Sequence, residues 1–284
     1  MKVDTWIAST NQDYPGLAGP DDSALPIANV WHRVAYGAAY IGDDEVRRLS
    51  TIYESQGINF YAVMVPTRAA LQAQLSIARK VLGMIRGLQV DMEPYSGYLD
   101  GPAGMQQFLD VVLRPLAGDG WQEISMCYDP REQHLSGWDF PAAVNLVQSL
   151  APMVYTGMFA GQSEWGDPVL AIHRAKAQAG TKLFRPIIQA YEIAPEDTMR
   201  SFDTAVEVGG HPQLFRRGLV APEIWQAITE RGEPMTTPTE TDKTQSEQIA
   251  NLQTRMDALE AKVAALESRI RRGGLTIAGE ANGK

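Results

Sequence analysis

The sequence is poor in the residues that mark several classes of protein. Cys127 is the only cysteine among 284 residues, so an intrachain disulfide framework is excluded, and we predict that Cys127 is a buried strand residue. The formal net charge of −9 offers no basic surface, so nucleic acid is not expected as a partner. Four histidines lie far apart and none has ligand spacing, so neither a metal site nor a cofactor is expected: His32, His134, His173 and His211.

Long apolar runs are also missing. No stretch approaches the roughly 18 to 20 apolar residues that span a bilayer, so no membrane partner is expected. Asp4 and the polar stretch 9–13 interrupt the N-terminus, which predicts that there is no secretory signal peptide. We therefore expect a soluble protein that is made in the cytoplasm. Any export would need a route other than a signal peptide.

What the sequence does contain is a regular alternation of strand and helix patterns. Eight such units in roughly 230 residues predict an α/β fold, a (β/α)₈ TIM barrel followed by a C-terminal coiled-coil helix. An open doubly wound sheet is the alternative, although neither a Walker loop nor a G-x-G-x-x-G turn follows the first strand. The predicted strands cover 2–8, 33–41, 59–65, 87–92, 123–128, 152–155, 183–190 and 217–224.

The composition changes after residue 232, which divides the chain into four predicted parts. The barrel covers 1–232, and a Pro- and Thr-rich linker covers 233–247. A coiled-coil oligomerisation helix is predicted over 248–271 and a flexible tail over 272–284.

The predicted coiled coil has an apolar seam at strict 3,4 spacing between residues 249 and 270. Most of its a positions are β-branched and its d positions are leucine, a choice that favours a parallel dimer, with a trimer as the alternative. Basic residues at g face acidic residues at e of a partner chain; Arg255 would meet Glu260, and Lys262 would meet Glu267. We therefore expect a homo-oligomer through residues 249–270. Packing of this helix on its own barrel is the competing interpretation.

The chemistry of a TIM barrel lies at the carboxyl ends of its strands, and acids, amides and aromatics follow the predicted strands here. Asp91 and Glu93 stand two residues apart on strand four, so both side chains face the same way and can enter one pocket. Such proximity separates their pKa values and leaves one carboxyl protonated, as a general acid requires. Tyr155, at the end of the sixth strand, is the third candidate catalytic residue. The further candidates, as substrate-binding residues, are Asp4, Trp6, Tyr36, Tyr128, Gln189, Tyr191, Glu223 and Trp225.

Three segments resemble known glycosidases. The run G-L-Q-V-D-M-E-P at 87–94 is similar to the strand-four motif, ending in D-x-E, of the family 18 chitinases and family 25 lysozymes. The run P-M-V-Y at 152–155 resembles the strand-six M-x-Y of the chitinases and the P-M-x-Y of glycosyl-hydrolase-like barrels. The run R-P-I-I-Q at 185–189 resembles strand seven of that last group.

The resemblance implies roles for three residues. Glu93 is expected to be the general acid, Asp91 its partner and the group that orients a substrate acetamide, and Tyr155 a hydrogen-bond donor near that acetamide. The sequence departs from the longer chitinase motif D-x-x-D-x-D-x-E at Gln89, and Thr156 stands where chitinases have an aspartate.

These features lead to two functional hypotheses. The first is a glycoside hydrolase for a polysaccharide such as peptidoglycan or a chitin-like, N-acetylated glycan, in which the substrate acetamide or a second carboxylate, Asp4 or Glu223, completes the reaction. The second is a non-catalytic glycan-binding or structural barrel that the coiled coil multimerises, so that weak sites gain avidity. Either would suit a bacteriophage virion or lysis component.

Overall fold

The computed structural model describes residues 2–14, 22–121 and 123–232. Within them, eight parallel strands close into a barrel, which confirms the predicted (β/α)₈ fold. We number these strands in chain order as β1 (Val3–Ile7), β2 (Ile27–Tyr36), β3 (Asn59–Val65), β4 (Leu88–Met92), β5 (Ile124–Tyr128), β6 (Ser149–Val154), β7 (Ile187–Gln189) and β8 (Gln213–Phe215).

Closure depends on the first strand, which pairs on both of its edges. Asp4 of β1 lies opposite Asn29 of β2 on one side and opposite Gln213 of β8 on the other. The remaining strands pair in sequence order around the ring. Two short strands are accessory to it: Ala39–Tyr40 turns back against the end of β2, and Leu183–Phe184 pairs with the start of β6.

Helices connect most of the strands on the outside of the barrel. The long ones are Asp43–Ser55, Leu71–Leu82, Pro168–Ala179, Pro195–Glu207 and Pro222–Gly232, together with Pro102–Phe108, Leu109–Leu113 and Arg114–Gly118, which follow one another with a π-helical middle segment. The short ones are Thr10–Asp13, Glu132–Leu135 and Phe140–Leu146, with 3₁₀ turns at Ser163–Gly166 and Arg217–Leu219.

The core has two layers because the strands are buried on both faces, as parallel barrel strands must be. One layer lies between the strands and the helices and includes Phe60 and Phe108, which are 1% and 0% exposed. The other fills the barrel interior, where Trp31 and Tyr61 stack with their ring centroids 4.5 Å apart. This second layer forms the floor beneath any site at the barrel mouth.

The predicted position of the last strand is wrong. Strand β8 is Gln213–Phe215, whereas the predicted stretch 217–224 begins with a 3₁₀ turn and ends inside the helix that starts at Pro222. The apolar residues of 218–222 resemble a strand in pattern, but proline suits the first turn of a helix, where a free N–H is not needed. The second strand also begins earlier than predicted, at Ile27.

No helix within the described residues is long and apolar enough to cross a membrane. The predicted linker, coiled coil and tail lie outside the described residues.

Candidate active site

A cavity of about 530 Å³ opens at the carboxyl ends of the barrel strands. Its volume falls in the range of small-molecule sites. Asp91, Glu93 and Asp129, at the ends of β4 and β5, supply its acidic groups. Aromatic, aliphatic and arginine side chains from the strand ends and the loops after them form most of the remaining wall. Six of the predicted site residues line it: Trp6, Tyr36, Asp91, Glu93, Tyr155 and Tyr191.

Asp91 and Glu93 lie side by side in this cavity. Asp91 is the fourth residue of β4 and Glu93 follows the strand directly, so the period of two turns both inward. Burial raises the pKa of Asp91 above its ordinary range. Burial, the charge of Asp91 and a hydrogen bond with Asp91 together raise the pKa of Glu93 to about 9. At neutral pH the pair therefore retains a proton on Glu93.

The surroundings of Asp91 are consistent with that proton. Its Oδ1 atom is buried and has no hydrogen-bond partner among the described residues. Hydrogen bonds from Cys127 and Glu93 to the Asp91 carboxylate oppose the effect of burial on its pKa. The neighbouring Cys127 is 2% exposed, as predicted, and its thiol pKa is raised by burial and by the charge of Asp91.

Tyr155 stands beside the acidic pair at the end of β6. Burial raises the pKa of its hydroxyl well above the ordinary value, and the ionised forms of the neighbouring Cys127, Asp91 and Glu93 would raise it further. Its ring stacks on Phe215, with centroids 5.4 Å apart, so the hydroxyl is held as a neutral donor at the cavity wall.

Asp129 and Arg131 form a second polar group on the cavity wall. Asp129 follows β5, and Arg131 pairs with it at 2.6 Å while also donating to Tyr95 at 2.9 Å. Burial opposes ionisation of Asp129, but hydrogen bonds from Arg131 and Tyr95 outweigh it and lower its pKa. The signal available in the sequence was the run D-P-R directly after a strand end.

Aromatic rings cover much of the remaining wall. Trp6 contacts Phe215 edge-on with centroids 5.1 Å apart, and Tyr36 contacts Tyr98 in the same way at 5.9 Å. Tyr36 is 41% exposed, an unusual exposure for a large ring. Such faces can pack against the apolar face of a sugar ring.

Asp4 lies at the opposite end of the barrel from this cavity, so the structure does not bring it together with the other predicted site residues. It occupies the start of β1, where Arg185 approaches it at 3.0 Å and also reaches Glu123 at 3.1 Å. Asn29 and Trp31 donate further hydrogen bonds to Asp4. The residue closes the floor of the barrel, because the amino ends of the strands point away from the mouth.

The structure also places Gln189 and Tyr128, which were predicted to bind substrate, outside the lining of the cavity. The Gln189 side-chain oxygen accepts hydrogen bonds from the backbone N–H groups of Gly157 and Met158, both at 3.1 Å, and its amide donates to the Tyr191 carbonyl at 2.9 Å. With its amide occupied in this way, Gln189 fixes the loop after β6 instead of lining the cavity. Tyr128 is 0% exposed and packs against Phe140 in the outer layer.

Glu223 and Trp225 fall on the helix Pro222–Gly232, so their predicted place at the end of strand eight is wrong. Neither lines the cavity. Glu223 is exposed in the first turn of the helix, and Trp225 packs against the outer core layer. Among the residues described, no cluster of three or more histidine, cysteine, aspartate or glutamate side chains is arranged to hold a metal ion.

Neither a family model nor a curated protein sequence matches this chain. Its barrel is similar to solved structures of low identity. A modular endo-β-1,4-mannanase of glycoside hydrolase family 26 from Cellulomonas fimi is 11% identical with a TM-score of 0.51, covering 85% of this chain and 72% of that one. The PgaB glycoside hydrolase domain from Bordetella bronchiseptica is 9% identical with a TM-score of 0.47, covering 80% and 95%.

A truncated 3-deoxy-D-arabino-heptulosonate 7-phosphate synthase from Thermotoga maritima is 12% identical with a TM-score of 0.45, covering 91% and 87%. Identities this low show a shared fold alone. The chain therefore has the (β/α)₈ fold that glycoside hydrolases use, and any activity must be argued from its own cavity.

Proposed function

We propose that the barrel is a glycoside hydrolase that acts on an N-acetylated polysaccharide such as peptidoglycan or a chitin-like glycan, with Glu93 as the general acid. The observation that carries the proposal is the raised pKa of Glu93 beside Asp91 at the wall of a sugar-sized cavity. Glycosidic cleavage needs a carboxyl group that stays protonated near neutral pH, and perturbed carboxyls of this kind are concentrated at functional sites.

The chemistry follows from the two carboxyls. Glu93 gives its proton to the bridging oxygen as the bond between that oxygen and the anomeric carbon breaks. Asp91 remains ionised and orients the N–H of a substrate acetamide, whose carbonyl oxygen then bonds to the anomeric carbon. Water reopens that bond, and the Glu93 carboxylate takes the proton from the water. Tyr155 donates its hydroxyl hydrogen bond to the acetamide.

The acetamide is favoured over a protein nucleophile because the remaining carboxylate of the cavity is occupied. Arg131 and Tyr95 donate hydrogen bonds to both oxygens of Asp129, so little of its electron density is free for attack. Asp4 and Glu223, the other acids expected from the sequence, do not line the cavity. The acetamide of an N-acetylated sugar therefore supplies the nucleophile of the reaction.

The test is cleavage of defined fragments by the full chain. Soluble chitin, peptidoglycan and plain glucan oligosaccharides are incubated with the wild type and with Glu93→Gln, and product sizes are read by mass spectrometry. We expect cleavage of N-acetylated fragments that falls at least about 100-fold in the variant, the usual contribution of a general acid. Cleavage that is unchanged in Glu93→Gln contradicts the assignment.

The second candidate function is a glycan-binding or structural barrel without hydrolysis, multimerised through residues 249–270 and belonging to a phage virion or lysis system. The observation that favours it is the aromatic wall, since Trp6, Tyr36 and Tyr98 could hold a sugar with no chemistry at all. Binding of a fragment by a folded wild type that cleaves none of the panel would support this second function.

A further inference from the structure

Three arginines line the cavity of an otherwise acidic chain. They are Arg33 on β2, Arg131 after β5 and Arg216 after β8. An arginine in a partly buried wall normally has an acidic partner, because an unpaired charge loses hydration without compensation. The partners of these three arginines therefore show what each of them can do.

Two of the arginines are paired within the protein. Arg131 binds Asp129 through two nitrogens, donates to the Gln162 side chain at 2.6 Å and lies over the Phe159 ring at 4.2 Å. Arg216 donates to Asp13 at 3.0 Å, and Asp13 is fully buried. These two guanidinium groups hold neighbouring loops in place.

Arg33 differs from both. It is partly buried, and no hydrogen bond or ion pair joins its guanidinium to any residue in the described ranges. The charge of Arg33 slightly lowers the pKa of Asp91, although the two side chains form no salt bridge. Glu93 keeps its proton, and neither acid of the pair forms an ion pair with Arg33.

The position of Arg33 in the wall indicates what it could face. Arg33, Ala8 and Tyr36 border the main cavity and also a neighbouring one of about 430 Å³, so Arg33 stands where the two meet. Tyr36 contacts Tyr98 beside it. A sugar ring packed on these tyrosines would bring a ring substituent within reach of the guanidinium, whose planar fork matches a carboxylate.

We propose that the site takes an acidic glycan and that Arg33 binds the carboxylate of a sugar one position away from the cleaved bond. The inference rests on the proposed function for the location of the cleaved bond. It rests on Arg33 alone for the negative charge of the glycan. The shared chemistry is a carboxylate on a pyranose ring, carried either as a uronic acid or as a lactyl ether.

Binding by isothermal titration calorimetry tests the proposal. The probes are a tetrasaccharide of alternating N-acetylglucosamine and N-acetylmuramic acid, a hyaluronan tetrasaccharide, the carboxyl-reduced form of each, and chitotetraose as a neutral N-acetylated chain. The full chain carries Glu93→Gln, which keeps the probes intact and replaces a neutral carboxyl with a neutral amide. We expect at least one acidic probe to bind about 10- to 100-fold more tightly than its reduced form.

Matched variants assign that preference to a residue. Arg33→Gln should remove the preference, and Arg33→Lys should keep part of it. Arg68→Gln removes the same charge from the same end of the barrel, since Arg68 follows β3 and is exposed outside the cavity, and it should leave the preference intact. Thermal unfolding checks that every variant is folded. If Arg33→Gln does not fold, the comparison of acidic with reduced probes still tests the proposal.

The outcomes separate this inference from the proposed function. Equal binding of acidic and reduced probes, or a preference that survives in Arg33→Gln, overturns the inference alone. A preference that depends on Arg33, with no probe cleaved by the wild type, supports the inference and overturns hydrolysis. Binding of none of the probes overturns both. Which acidic probe is preferred identifies the uronic acid or the lactyl ether as the source of the carboxylate.

Discussion

The carboxyl group of Glu93 lies beside that of Asp91, and Glu93 keeps its proton at neutral pH. Each is raised in pKa by burial, and Glu93 is raised further by the charge of its neighbour. Two like charges in one poorly hydrated site cannot both form without a large cost, so the arrangement separates an acid from a carboxylate.

The pair should make the folded barrel less stable as the pH rises. The pKa of Glu93 is about 9 in the folded chain against an ordinary value of 4.5, so between these pH values the folded chain holds a proton that the unfolded chain has lost. Glu93→Gln removes this dependence. We expect the variant to be more stable than the wild type by about 1 to 3 kcal/mol at pH 8, a difference that shrinks towards pH 4.5.

Urea unfolding between pH 5 and pH 8.5 measures this difference. Glu207→Gln, which removes an exposed carboxylate from the outer helix Pro195–Glu207, is the matched control for the loss of one negative charge and should follow the wild type. Parallel pH profiles for the wild type and Glu93→Gln would show that Glu93 has no raised pKa.

Asp91→Asn should lower the pKa of Glu93, because it removes the charge that raises it while burial remains. If Glu93 is the acid, the alkaline limb of kcat/KM should move to lower pH by about one unit. The control is Asp100→Asn, an exposed aspartate in the loop after β4 whose side chain caps the Gly97 N–H outside the cavity. An alkaline limb at the same pH in Asp91→Asn and the wild type would show that the charge of Asp91 does not raise the pKa of Glu93.

Gln189→Ala should destabilise the barrel instead of merely weakening binding. The change leaves two backbone N–H groups, of Gly157 and Met158, without their acceptor, which costs about 1 to 3 kcal/mol. Gln12, an exposed amide that lines the cavity, provides the control Gln12→Ala, and its loss should hardly change the free energy of unfolding. Chemical denaturation measures the free energy of unfolding of both variants. Equal stability would contradict the structural role of Gln189 and favour a role in binding sugar.

The seam expected over 249–270 predicts that the full chain is a dimer, with a trimer as the alternative. Light scattering after size exclusion should give a mass two or three times that of the 31.2 kDa chain. Replacing two d-position leucines, Leu252→Asp and Leu259→Asp, should return the mass to that of a monomer, because charges in the seam lose the apolar contact. A monomeric wild type would contradict the prediction.

The fold and the acidic pair could be read from the sequence because both depend on local periodicity. Alternating strand and helix patterns require a parallel sheet, and the spacing of two between Asp91 and Glu93 places both on one face. The same argument placed Tyr155 at the end of its strand. None of these inferences needs contacts between distant segments.

The errors arose where distant segments decide the outcome. Asp4 has a suitable side chain, but its place at the start of β1 and its pairing with Arg185, 181 residues away, assign it to the barrel floor. Gln189 is occupied by backbone groups that lie about 30 residues earlier. Strand β8 has three residues, too few to show a period, so the sequence pattern favours the later apolar run and with it Glu223 and Trp225.

The most direct measurement compares two leaving groups in the wild type and in Glu93→Gln. An oligosaccharide leaving group needs a proton from the general acid, whereas dinitrophenolate leaves without one. We predict that Glu93→Gln loses cleavage of an N-acetylated oligosaccharide by about 100- to 10,000-fold. The same variant should keep the first-turnover release of dinitrophenolate from the matching dinitrophenyl glycoside within about tenfold of the wild type, because bond cleavage requires no protonation there. Equal losses on both substrates, or no cleavage of either by the folded wild type, would contradict the assignment of Glu93 as the acid of a glycosidase.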